Sequence, residues 1–179
     1  MLKKVDSFSM KNDWEIFEKL TSVFQFLFGI VILYATYWRV FYDFDSGLNE
    51  YVFSKGKVDY YEFITDEYFS LVLGIVGIVG GINWFFYKTN GWLLTLLFWF
   101  SLGFSTSVVF YKFITYSSHN ITSNPEFWIY SLTIFITILL LVFLTVEFFW
   151  KKYKPTKIQL ITLGTIVLMV LIDRLVLNK

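Results

Sequence analysis

The sequence predicts an all-α integral membrane protein: a bundle of five transmembrane helices forming a single membrane domain over residues 1–179. Three observations lead there. Hydrophobic residues fill 56% of the positions and the mean hydropathy is +0.60, above the roughly 45–50% apolar content of a soluble domain. The apolar residues gather into runs long enough to cross a hydrocarbon core, which takes about 20 helical residues. Aromatic residues mark the run ends, among them Trp38, Tyr42, Trp84, Tyr87, Trp92, Tyr111, Trp128 and Trp150, as in the belts at membrane interfaces. The alternation of a membrane barrel is missing, which leaves helices as the spanning backbone.

The predicted spans are Leu20–Phe41, Tyr68–Tyr87, Trp92–Tyr111, Phe127–Trp150 and Ile158–Leu177. Local signals mark their starts. Asn12-Asp-Trp-Glu15 reads as a capping box that opens a first helix ahead of its apolar run. Thr65 followed by Asp66 and Glu67 puts acids on the positive end of the second helix. Asn90 precedes the third. Asn124-Pro125 fits an N-cap followed by proline at the first helical position of the fourth. Thr156-Lys-Ile-Gln159 is a second capping box, opening the fifth. The N-terminal stretch mixes acids with its lysines and leads into a run too long for a secretory signal, so it reads as a lead-in to a retained helix.

Lysine and arginine set the expected orientation. With the N-terminus inside, the inner segments hold Lys3, Lys4, Lys11, Lys19, Lys88, Lys151, Lys152, Lys154 and Lys157, and the outer ones hold Arg39, Lys55, Lys57, Lys112, Arg174 and Lys179. That excess has the sign of the positive-inside rule. The expectation is a bacterial inner-membrane protein with a cytoplasmic N-terminus, an external C-terminus and a cytoplasmic loop over 151–157. The outer loop, residues 42–67, is acidic. Within it "EYVF" and "VDYYEF" flank "SKGK", a pattern that suits a short β-hairpin turning at Gly56; an irregular aromatic loop is the alternative.

Gly74, Gly77 and Gly81 share one face of the second helix. Small residues let helix backbones approach closely in a bilayer. The face is either a packing seam within one subunit or a self-association or pore seam, and packing is favoured because bulky residues abound in the neighbouring helices. Ser101 and Ser105 in the third helix form a polar face with the same two readings, and such hydroxyls most often bond to their own helix or its neighbour. Glu147 is the deepest acid of the fourth span, and Lys151 stands four residues later in the favourable order for an ion pair; a titratable gate or a contact to Lys88 is the sharper alternative. Asp173 and Arg174 point about 100° apart on an α-helix, so a direct pair is not expected. Arg39 is expected to reach the outer surface beside Trp38.

The chemistry-bearing residues are sparse. Cysteine is absent and His119 is the one histidine, so no thiolate, metal cluster or nucleophile–base pairing is evident, and neither a metal nor a cofactor is expected. Asn120-Ile-Thr122 is a glycosylation sequon, meaningful only in a eukaryotic secretory pathway. The net charge of +1 gives no reason to expect nucleic acid. The layout of long outer loop, tight inner turn "YKTNGW" and short outer loop resembles tetraspan proteins such as claudins, but the claudin Trp and paired-Cys motif is missing and no property is carried over. The expected function is non-enzymatic: a subunit or scaffold acting through protein–protein contacts in the lipid bilayer, as a homo-oligomer or with a membrane-protein partner. The alternative is a channel-forming or membrane-perturbing effector, for example an accessory membrane component of a bacterial antiviral system, a setting in which small multi-pass proteins of this look occur.

Overall fold

A computed structural model of the chain describes residues 2–38, 60–86, 88–116, 122 and 124–177. These are helical almost throughout, and five helices are long and apolar enough to cross a membrane. The chain divides into two compact units, 1–87 and 88–179.

The first unit is a pair of packed helices, α1 (Leu2–Trp38) and α2 (Tyr60–Phe85). Both start earlier than their sequence signals suggest. Asn12 and Glu15 lie inside α1, and Thr65, Asp66 and Glu67 lie inside α2. Neither upstream segment contains glycine or proline to stop the helix, and adding a turn to an existing helix costs far less than nucleating one. The same extension corrects the hairpin: Tyr60, Tyr61, Glu62 and Phe63, expected in its second strand, are helical. Residues 42–59 of the outer loop, with Gly56, lie outside the described residues, as do Arg39, His119 and Asn120.

The second unit comprises α3 (Thr89–Tyr116), α4 (Pro125–Leu144), α5 (Glu147–Tyr153) and α6 (Lys157–Ile172), which continues into a π-helical turn, Asp173–Leu177. The helix α3 is its hub, packing against α4, α6 and the π turn. Two expected caps are present. The Asn124 side chain accepts from Glu126 N–H at 3.0 Å ahead of Pro125. Thr156 and Gln159 form the reciprocal box, with Gln159 N–H to Thr156 Oγ1 at 3.3 Å and Thr156 N–H to Gln159 Oε1 at 2.8 Å. Asn90 sits within the first turn of α3, where its Oδ1 accepts from Gln159 Nε2 at 2.8 Å, tying the starts of α3 and α6 together.

The expected fourth span is shorter than its apolar run. The helix α4 ends at Leu144, and Val146 is extended (φ −60°, ψ 144°) before α5 begins at Glu147. Two adjacent β-branched residues mark the break. The Thr145 hydroxyl bonds back to the carbonyls of Leu141 and Val142, both at 3.0 Å, offering the backbone an alternative to continuing the helix. At the far end of α6 the expectation for Asp173 and Arg174 is overturned. Arg174 Nε lies 3.5 Å from Asp173 Oδ2, with side chains only 18% and 14% exposed. The wider π turn reduces the angle between successive residues, and the arginine stem is long enough to fold back.

Candidate functional site

In the first unit the buried stripe of α1 is polar and its outer side apolar, while α2 buries Phe69, Leu73 and Trp84 beside its glycines. Glu18, Ser22, Gln25, Gly29 and Thr36 recur at helical spacing along one stripe of α1, and all are buried. Val23, Phe24, Leu27, Ile30, Val31 and Tyr34 cover the opposite side and are exposed. In water this arrangement would be inverted; with hydrocarbon as the solvent it is the expected one. The facing stripe on α2 is Gly74, Gly77 and Gly81, all buried. A Cβ added to Gly29 would lie 2.8 Å from the Gly74 carbonyl oxygen and 2.7 Å from Ile78 N, and one added to Gly81 would lie 2.7 Å from the Ser22 carbonyl oxygen. One added to Gly74 would meet the Leu33 side chain at 2.6 Å. Gln25 Nε2 donates to the Gly77 carbonyl at 3.2 Å, while its Oε1 is buried without a partner. The glycine face is thus in backbone contact with α1 of the same chain. An apolar notch of about 180 Å³ opens beside Gly81, lined by Ser22, Val23, Phe26, Ile82, Phe85 and Phe86. The Ser22 hydroxyl is already donated to the Glu18 carbonyl at 2.6 Å.

In the second unit Ser101 is buried, and Ser105 has its Oγ buried without a hydrogen-bond partner. Gly103 of α3 packs against α4, where an added Cβ would lie 2.5 Å from Thr137 Cγ2. A cavity of about 160 Å³ follows this crossing, lined by Phe100, Gly103, Phe104, Ser107, Ile134 and Thr137 among others. Its hydroxyls point at their own helices: Ser107 donates to Gly103 O at 2.7 Å and Thr137 to Thr133 O at 2.6 Å. Thr106 does the same to Leu102 O at 2.8 Å. The two sequence-predicted faces therefore belong to different units: the glycine face is engaged with α1 of its own unit, whereas these contacts to α4 come from Gly103 and Ser107, on the side of α3 away from Ser101 and Ser105.

The end of the second unit where α3 begins is the most elaborately built region. Trp92 is fully buried; its Nε1–H donates to the Leu144 carbonyl at 3.2 Å, satisfying a backbone group at the open end of α4. Its ring stacks on Tyr153 (5.6 Å, 13°) and meets the edge of Trp150 (5.1 Å). Thr89 Oγ1 donates to the Tyr153 carbonyl at 3.0 Å. The short helix α5 is thereby clamped onto the start of α3. Glu147 and Lys151 lie on it, beyond the apolar span rather than within it, and pair at 2.6 Å with side chains 77% and 74% exposed.

The hydrogen bond and charge of Lys151 hold the Glu147 carboxyl below its ordinary pKa. A depressed folded-state pKa means the pairing contributes to stability above the unfolded carboxylate value and is lost as pH falls through the lowered folded value. In full solvent exposure the contribution is small. A carboxyl NMR titration should place Glu147 lower in the native protein than in Lys151→Gln.

Glu18, Gly29 and the Trp92–Tyr153 stack are absent from the sequence-based set. The regular Glu18–Ser22–Gln25–Gly29 spacing would have revealed the stripe; the stack joins residues too distant in sequence to be read. Among the described residues no group of three or more His, Asp or Glu side chains is placed to hold a metal ion. Neither a protein-family model, nor a curated protein, nor a solved structure matches the chain.

Proposed function

We propose that the chain is a non-enzymatic, multi-pass membrane subunit that works through helix–helix contacts in the bilayer, as a homo-oligomer or with another membrane protein. In this reading the five apolar helices span a bacterial inner membrane, with the N-terminus and the 151–157 loop inside and the C-terminus outside. One observation carries the reading. Gly29, Gly74, Gly81 and Gly103 each meet a neighbour at close contact, whereas Gly164, in the middle of α6, meets nothing within 4 Å. No residue of α6 is buried. A thin point without a packing partner, on a span that contacts little of its own unit, suits a helix from another subunit. The channel reading is weaker, because the glycine face that would line a pore is packed against α1 of the same chain.

The cysteine-free sequence makes the test direct. Gly164→Cys, oxidised in native membranes, is expected to give a covalent dimer or a cross-link to one other membrane protein, with Gly103→Cys giving neither. Ion flux through liposomes containing the purified chain, with no cross-link at residue 164, would overturn the subunit reading in favour of the channel.

A further inference from the structure

We propose that the end of the second unit where α3 and α6 begin is a binding surface for the headgroups of anionic phospholipids. The proposal rests on the membrane-spanning reading above but not on the subunit reading. The fold brings Lys88, Lys151, Lys152, Lys154 and Lys157 from separate segments to one end of this unit. Three contacts fix their placement: Thr89 to Tyr153, Asn90 to Gln159 and Trp92 to Leu144. All five lysines are exposed. The acid in these segments is Glu147, which is paired with Lys151. Five positive charges and one negative leave a surface of +4.

Such a surface repels itself, and the local structure relieves it only in part: Lys151 pairs with Glu147, and Lys151 and Lys152 stand in the last turn of α5, where cations suit the dipole. Lys157 occupies the first position of α6 and Lys88 immediately precedes α3, and neither helix carries an acid in its first turn. Cations at these ends oppose the helix dipole. Lys154 is held in the left-handed region (φ 41°) as the cap of α5, a conformation that favours glycine, yet a lysine stands there. The Lys152 ammonium lies 5.8 Å from the Phe148 ring centre and 5.6 Å from that of Tyr153, which holds it at the edge of the aromatic platform.

The complement is a cluster of negative charge, and its depth favours one source. Trp92 and half-exposed Trp150 belong to the same platform, and such residues sit at headgroup level when their helices cross a bilayer. Lysines at that level face lipid phosphates, and basic clusters beside membrane spans bind anionic lipid.

The test uses the full chain in nanodiscs of phosphatidylcholine containing a minority of phosphatidylglycerol, with the lipids retained by the protein read by native mass spectrometry. The native protein is expected to retain phosphatidylglycerol above its bulk fraction. The preference should fall at least tenfold in Lys152→Gln/Lys154→Gln/Lys157→Gln, at roughly fivefold per charge at most, and should survive the corresponding arginine substitutions and Lys112→Gln. Equal retention in the glutamine variant overturns the proposal, as does displacement of the lipid by inorganic phosphate. Should that variant misfold, a salt titration of the native protein decides: retention must fall as salt rises, and salt-independent retention overturns the proposal. Failure of the chain to enter bilayers at all would instead remove the membrane reading.

Discussion

Gly29→Ala is expected to lower stability by about 2 kcal/mol, the scale of overpacking a well-packed site. The added methyl would meet the Gly74 carbonyl and the Ile78 nitrogen, both backbone atoms, so the two helices must move apart instead of a side chain rotating away. Gly81→Ala, against the Ser22 carbonyl, should behave alike. Gly74→Ala meets the Leu33 side chain, which can turn, and should cost less. Gly164→Ala meets nothing within the chain and should leave the monomer unchanged or slightly more stable through helix propensity. Thermal unfolding of the four variants in one detergent tests the order. Equal losses at Gly29 and Gly164 would mean that propensity, not packing, governs the seam.

Trp92→Ala should have the largest effect of any single change, about 3–5 kcal/mol. It removes a fully buried indole, the stack on Tyr153 and the donor to the Leu144 carbonyl. Trp92→Phe keeps most of the ring and isolates the hydrogen bond, for about 1 kcal/mol. Hydrogen exchange should show the loss of protection concentrated in α5 and the break at Thr145–Val146. A uniform loss over the whole second unit would mean that Trp92 supports the bundle rather than the clamp on α5.

Much of this was legible in the residues. The apolar runs, the caps at Asn124 and Thr156 and the shared face of Gly74, Gly77 and Gly81 all follow from period and local chemistry, because each depends on neighbours within a turn or two. The starts of α1 and α2 were legible only as the last allowed point: both helices run back past Asn12 and Thr65 because nothing upstream stops them. The Thr145–Val146 break was hidden inside an apolar run, although its β-branched pair and the following acid are visible once the break is known.

The sequence by itself determined the elements: five helices apolar enough to cross a membrane, separated by charged or polar turns. That follows from composition and spacing, since lipid leaves the backbone little choice but the helix. Only the tertiary structure decided what each small or polar face touches. It put the glycines of α2 against Gly29 and Ser22, buried Glu18 and Gln25 in the same stripe, and left Gly164 open. It also drew lysines from residue 88 and from residues 151–157 onto one clamped end of the second unit. Partners across 50 or more residues are chosen by shape and by the need to satisfy buried polar groups, and neither quantity is written in the local order of the chain.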